Sequence, residues 1–291
     1  MSRKLIAFDL DGTLLGDEKR VPPENLRALE AAAERGWVPV PATGRIVRGI
    51  PEPVKRLPGV RYFIVSNGAG VYDAAEDRLL YRGDVPVELA LRCYAYMDTL
   101  PVIYDCYQNE SGWMTRWMYE NCEPYFPTEP HMLEIVKRLR VPVDDLKETL
   151  RQRGEPLQKL QMFFKPQDLP ERERQLKRIP ELFPELVATT SVSNNIEINS
   201  VNAGKDKAML ALAELLGIPR EDTVAFGDGT NDCAMLQAAG WGVAMKNADP
   251  AVKAAADEIT DTNNAAGVGK TIRRLLKAFP PQGEGGRKAA G

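Results

Sequence analysis

The sequence predicts an α/β protein in which a parallel sheet with crossover helices is interrupted by an inserted α+β unit. Short apolar segments alternate with helix-period segments in the N-terminal third and again in the C-terminal third, the rhythm of strand–helix–strand crossovers. From about Arg82 to Asn199 that rhythm breaks, and helical stretches mix with exposed-looking strands.

Lys4–Leu10 reads as a first strand that ends abruptly in acid and glycine. Pro22 and Pro23 suit a helix start, and Asn25–Arg35 carries apolar residues at helical spacing until Gly36 stops it. Trp37–Ala42 and Arg61–Val65 are the next strands. Pro39 and Pro41 lie two apart, so both missing N–H groups face the same neighbouring strand, and one side of that ladder must be depleted. In the middle, Val87–Thr99, Met132–Arg140 and Leu169–Ile179 read as helices, and Val102–Gln108, Gln158–Phe164, Leu186–Val192 and Ile196–Asn199 as strands. Beyond it come helix Lys205–Leu216 closed by Gly217, strand Thr223–Gly227 and helix Asn231–Ala239. Strand Gly242–Met245, helix Pro250–Ala256 and a last helix Gly269–Ala278 complete the series. The tail 280–291 has too little apolar content to fold and is expected to be disordered. The resulting division is 1–81 with 200–279 as host, and 82–199 as insertion.

Composition narrows the chemistry. The chain of 291 residues has one histidine, His131, so a multi-histidine metal site is excluded and any histidine-based triad would depend on that residue alone. Acid–base work falls more naturally to carboxylates or lysines. A net charge of −3 argues against a broadly basic surface that coats nucleic acid. No apolar run approaches membrane-spanning length, and the start has no signal-peptide core. Cys93, Cys106, Cys122 and Cys233 form no CxxC pair; free thiols in a reducing cytoplasm are the default reading.

Four strand-end or helix-start motifs carry the chemistry. Asp9-Leu10-Asp11-Gly12-Thr13-Leu14 places two carboxylates where open α/β sheets gather ligands, and such a pair invites a hard cation such as Mg²⁺. Alone, this pattern more often marks an Asx-type turn. Gly227-Asp228-Gly229-Thr230-Asn231-Asp232 repeats the theme after another apolar strand, where Thr, Asn and Asp are also ordinary helix caps. Together the two could place Asp9, Asp11 and Asp228 around one cation. Ala42-Thr43-Gly44-Arg45 offers a hydroxyl, backbone N–H groups and a guanidinium for an anion, though alone this pattern more often marks a capping threonine beside a surface arginine. Lys205 starts a helix; it matters only because carboxylates plus a phosphate need a further fixed cation.

In this order the motifs resemble those of the haloacid dehalogenase-like phosphohydrolases, and Ser66-Asn67-Gly68-Ala69 resembles their Cof-type branch, subclass IIB. The likeness covers nearly all the chain outside the insertion and tail. It implies a Rossmann-like core, with the insertion as a large C2-type cap between the third strand and Lys205. It further implies an Mg²⁺-dependent phosphatase of small phosphorylated metabolites, sugar phosphates or similar. Asp9 would be the nucleophile that forms an aspartyl-phosphate, and Asp11 the acid that protonates the leaving oxygen and then activates water. Asp9, Asp11 and Asp228 would hold the metal. Thr43, Gly44, Lys205 and Asn231 would hold the phosphoryl group, with Arg45 and Asp232 close by. Because the run is Gly204-Lys205-Asp206-Lys207 where the family often has Lys-Gly, Lys207 is an alternative to Lys205. A phosphomutase using the same aspartyl-phosphate, and a non-catalytic phosphometabolite-binding protein, are the competing functions. His131, Lys137-Arg138 and Arg172–Arg174 read as surface residues, Tyr104, Tyr107, Trp113 and Trp117 mainly as packing, and Asn194-Asn195 as a hairpin turn.

Overall fold

A computed structural model describes residues 3–108, 111–128 and 130–279; the tail expected to be disordered, 280–291, lies outside the described residues. The chain begins with β1 (Leu5–Phe8), α1 (Pro23–Glu34), β2 (Val38–Pro41), α2 (Glu52–Lys55) and β3 (Tyr62–Val65), then β4 (Gly70–Asp73) and β5 (Arg78–Arg82). The inserted part holds α3 (Val87–Met97), β6 (Val102–Gln108), β7 (Ser111–Thr115), α4 (Arg116–Glu120), α5 (Pro130–Leu139) and β8 (Arg140–Val143). It continues with α6 (Leu146–Arg153), β9 (Lys159–Phe164), α7 (Leu169–Leu182), β10 (Leu186–Thr189) and β11 (Asn195–Ser200). The chain then returns through α8 (Lys205–Leu215), β12 (Thr223–Gly227), α9 (Cys233–Ala238), β13 (Trp241–Ala244), α10 (Pro250–Ala254), β14 (Glu258–Ile259) and α11 (Gly267–Ala278).

The host sheet is parallel, in the order β14-β13-β12-β1-β2, so the first strand lies between strands from both ends of the chain. This order sets the C-terminal ends of β1 and β12 side by side, and with them the two acid-rich loops. Leu5–Phe8 is wholly buried, as expected of a strand flanked on both sides and covered on both faces.

The proline conflict in β2 resolves in the geometry. Val38 N–H bonds Lys4 O at 2.7 Å and Ala42 N–H bonds Phe8 O at 2.8 Å, so even-numbered residues donate toward β1. Pro39 and Pro41 therefore turn their missing donors toward β3. There the ladder is reduced to an isolated Ala42–Ile64 bridge and a Thr43 N–H to Ile64 O bond of 2.9 Å. Instead of extending the five-stranded ladder, β3 forms an antiparallel sheet with β4 and β5, two strands the sequence reading left out.

The inserted sheet runs β10-β11-β9-β6-β7-β8 and is antiparallel apart from the β7–β8 pair. Its apolar face, with Tyr104, Cys106, Leu160, Met162, Phe164, Ile196 and Ile198, packs with Cys93, Tyr94, Met97, Leu150 and Ile179 of the covering helices. The opposite face carries Asp105, Lys159, Gln161, Glu197 and Asn199, and these too are buried. β7, β8, α4 and α6 were not expected, and Arg140 begins β8 rather than ending the preceding helix. The expected strand Leu186–Val192 stops at Thr189, because Asn195 Oδ1 accepts the N–H groups of Ser191 and Val192 and turns the chain. Among the described residues no helix is long and apolar enough to cross a membrane.

Candidate active site

Asp9 is held at the end of β1 by its N–H bond to Phe226 O of β12, 3.0 Å, one residue beyond the strand proper. The following turn needs Gly12: its φ is +85°, and a Cβ there would stand 2.2 Å from Asp228 Oδ2. Asp228 is therefore backed directly against the turn, and Thr13 Oγ1 donates to its Oδ1 at 2.6 Å. Asn247 Nδ2 donates to Gly12 O at 2.8 Å and is itself fixed by Asn263 N–H at 3.0 Å.

The second loop is set by Asp232. Its Oδ2 accepts from the N–H groups of Asp228 and Gly229, both at 3.1 Å, which curls the chain back over the end of β12. The helix expected over Asn231–Ala239 consequently starts as a 3₁₀ turn, Thr230–Asp232, and becomes α-helical only from Cys233. Lys205, in the first turn of α8 and 2% exposed, joins the two loops: its Nζ lies 2.6 Å from both Asp9 Oδ1 and Asp232 Oδ1. Lys207, the alternative, is exposed and donates to Val201 O.

Burial and crowding govern the electrostatics. Desolvation pushes the Asp9 carboxyl up to about 7, against the pull of Lys205, with Asp232 and Asp228 adding repulsion. Desolvation likewise pushes Asp228 up to about 6, opposed by the Thr13 hydroxyl. Burial alone would lower Lys205, but the carboxylates of Asp232 and Asp9 outweigh it and raise the ammonium. Asp9, Asp228 and Asp232 each offer an oxygen within 4.8 Å of the others. Both oxygens of Asp232 are already engaged, whereas Asp9 and Asp228 use Oδ1 for Lys205 and Thr13 and have a second oxygen to offer. A crowded all-oxygen set whose carboxyls are pushed up by burial and mutual repulsion fits a hard divalent cation.

Asp11 stands apart from this cluster. Arg45 grips its carboxylate with Nη2 at 2.8 and 3.1 Å and Nε at 3.2 Å, and Lys19 adds a contact of 2.8 Å. Burial would raise this carboxyl, but Arg45 and Lys19 prevail and hold it below the usual carboxylate range. Thr43 is buried and its Oγ1 accepts the Arg45 N–H at 3.2 Å.

The structure thus gathers Asp9, Lys205, Asp228 and Asp232, sets buried Thr43 just past the end of the neighbouring β2 with Arg45 reaching Asp11, and leaves Asn231 exposed. Asp232, rather than the Asp11 side chain, is the third member of the acidic cluster. His131 and Trp117 are exposed. Tyr104 stacks on Tyr94 at 4.9 Å, while Tyr107 lies under Arg140 at 4.3 Å and Lys159 at 5.0 Å. Sequence reasoning missed Asn247, Lys19 and the buried pair Lys159–Glu197. Only the last left a signal, the alternating polar residues of Asn195-Ile196-Glu197-Ile198-Asn199.

A family model of haloacid dehalogenase-like hydrolases matches residues 6–272. A 5-amino-6-(5-phospho-D-ribitylamino)uracil phosphatase of Bacillus subtilis is 32% identical over 280 residues, 94% of this chain and 96% of that protein. The fold superposes on a phosphatase of Bacteroides thetaiotaomicron with a TM-score of 0.78 at 25% identity, covering 94% of this chain and 95% of the other. It also matches a subclass IIB sugar phosphatase with a TM-score of 0.75 at 25% identity, over 94% and 98% of the two chains. The protein therefore belongs to the haloacid dehalogenase-like hydrolases, in their Cof-type subclass IIB, and is a phosphoric monoester hydrolase.

Proposed function

We propose that the protein is an Mg²⁺-dependent phosphatase of small phosphorylated metabolites, sugar phosphates or similar, that works through an aspartyl-phosphate on Asp9. The observation that carries the proposal is Lys205, buried at 2.6 Å from both Asp9 and Asp232 at adjoining strand ends. An anionic nucleophile approaches an anionic phosphoryl group only where fixed positive charge offsets their repulsion. Lys205 supplies one such charge.

Asp9 and Asp228 would hold Mg²⁺, with Asp232 fixing the loop and Lys205 rather than donating directly. When bound, the metal supplies a second positive charge that screens the phosphoryl oxygens. Asp9 would keep its second oxygen for the metal and attack phosphorus through the oxygen that Lys205 holds, so that the ammonium meets the incoming phosphoryl group. Thr43, Gly44 and Lys205 receive the phosphoryl oxygens, and Asn231 flanks them. Asp11 protonates the leaving oxygen and afterwards takes a proton from water. For that its grip by Arg45 must open, and a bound phosphate monoester, itself dianionic, competes for the guanidinium. We assign residues 82–199 as the cap that closes over this site, sets which leaving groups fit and excludes bulk water. Relatives whose names specify 5-amino-6-(5-phospho-D-ribitylamino)uracil and pyridoxal phosphate fit this class of small monoesters.

Phosphate release from a generic aryl phosphate, followed with Mg²⁺ and after its chelation, tests the proposal. Full activity of Asp9→Asn, or turnover indifferent to Mg²⁺, would sink it.

A further inference from the structure

Two cap strands reach the phosphate loop through a buried pair of opposite charges. Lys159 on β9 is 2% exposed and Glu197 on β11 is 5% exposed, and they meet at 2.8 Å. Glu197 also accepts the Ser191 hydroxyl at 3.0 Å. Each partner then makes a contact across to the host: Lys159 Nζ donates to Gly44 O at 3.2 Å, and Glu197 Oε2 accepts Asn67 Nδ2 at 2.6 Å.

Asn67 belongs to a left-handed run, Ser66 at φ +51°, Asn67 at +58° and Gly68 at +87°. Two consecutive non-glycine residues in that region persist only where their surroundings impose it. Here the surroundings are the phosphate loop and the start of α8. Asn67 N–H bonds Thr43 O at 3.1 Å and Ser66 N–H bonds Arg45 O at 3.0 Å. A Cβ at Gly68 would stand 2.2 Å from the Gly204 carbonyl, just before Lys205. A pair that served only cap stability would be satisfied within the cap sheet. These two side chains instead grip the two loops that border Thr43.

The planar trans peptide makes the consequence specific. A carbonyl and the N–H of the next residue point in opposite directions from their shared bond. Lys159, by drawing the Gly44 carbonyl toward the cap, aims the Arg45 N–H away from it, and that N–H bonds Thr43 Oγ1 at 3.2 Å. A hydroxyl that accepts this bond still has its own proton to donate. We propose that Lys159, anchored by Glu197, is a positioning residue for phosphoryl transfer: with the cap closed it fixes the Gly44–Arg45 peptide and, through it, the Thr43 hydroxyl. The inference rests on the assignment of Thr43 and Gly44 to the phosphoryl group. It makes the phosphate loop complete only when the cap is down, so that an open enzyme does not turn over.

The test compares Lys159→Met, Lys159→Arg, Glu197→Gln and Thr43→Ala in the full-length protein with an aryl phosphate. The readouts are kcat, KM, the inhibition constant for orthovanadate and the thermal midpoint. Lys159→Met keeps the stem and removes the charge; kcat falls about 10- to 100-fold, as for a small misplacement of a positioning group. The vanadate constant rises in parallel, and Lys159→Arg recovers most of both. Glu197→Gln gives a smaller loss of the same kind and serves if Lys159→Met does not fold. The proposal is overturned if the folded Lys159 and Glu197 variants keep kcat and the vanadate constant within twofold of the parent. It is also overturned if kcat falls only in proportion to the folded fraction. If Thr43→Ala moves both readouts and the cap variants do not, the positioning role alone fails; if Thr43→Ala moves neither, the assignment of the loop fails with it.

Discussion

Replacing Lys205 by methionine removes the cation that Asp9 and Asp232 share while keeping the length of the stem. Both contacts are 2.6 Å, with the ammonium 1% exposed, so bulk water does little to screen them. At an effective dielectric of about 20, unit charges about 4 Å apart interact by about 4 kcal/mol, which sets the scale of each pairing without bounding it. Only the part that grows as charge develops on the phosphoryl group affects the rate; loss of one preorganised donor typically costs about 10²–10³ in kcat, or about 3–4 kcal/mol. kcat/KM for an aryl phosphate therefore falls about 10²–10³-fold. Stability falls as well, because two buried carboxylates lose their counter-charge; breaking such a pair costs about 3–5 kcal/mol. The pH dependence of that loss has a definite sign. Without Lys205 the folded-state pKa of Asp9 rises further above about 7, so the folded protein retains a proton that the unfolded chain releases near the ordinary aspartate value of 3.8. Between those values the variant loses stability as pH rises. Urea unfolding at pH 5.5 and pH 8 reads this directly, with the larger deficit at pH 8. Less than a tenfold loss of kcat/KM, or a deficit larger at pH 5.5, would refute the reasoning.

Because the carboxyls of Asp9 and Asp228 are pushed up to about 7 and about 6, metal must displace protons below neutrality, so the rise in Tm produced by Mg²⁺ is larger at pH 7.5 than at pH 5.5 in paired scans. Gly12→Ala forces a side chain into a φ of +85° and onto Asp228 Oδ2, so Mg²⁺ affinity by calorimetry falls and turnover drops at least tenfold, whereas Gly36→Ala, also at positive φ but in open space, leaves turnover unchanged. Arg45→Met removes the guanidinium that holds the Asp11 carboxyl low; the limb of the kcat/KM profile governed by Asp11 moves to higher pH, and an unmoved limb would mean that Asp11 does not govern it.

The parallel core was legible because its strands are short apolar runs that end in acid, glycine or threonine, and Asp9, Thr43 and Asp228 follow directly from those endings. Pro39 and Pro41 implied that one side of β2 would lack a ladder, and the hydrogen bonds of Val38 and Ala42 show that it is the side facing β3. What escaped the sequence reading lay across long separations. Lys205 and Lys207 could not be told apart from local spacing; two helix positions separate a lysine turned inward to two carboxylates from one turned out to solvent. The pairing of Arg45 with Asp11 depends on the packing of two loops, and no motif encodes it. Alternation in Asn195–Asn199 correctly marks a strand with one polar face, but period two does not say what that face meets. Here it meets the host, 5% exposed at Glu197, so a pattern that suggests solvent conceals a contact between two parts of one chain.

The central claim is that Asp9 carries the phosphoryl group between substrate and water. Rapid acid quench during turnover of a phosphate-labelled substrate, followed by peptide mapping, measures it most directly. The account predicts label on the peptide containing Asp9, appearing before free phosphate and absent from Asp9→Asn. Turnover with no protein-bound phosphate, or with label on any other residue, would contradict it.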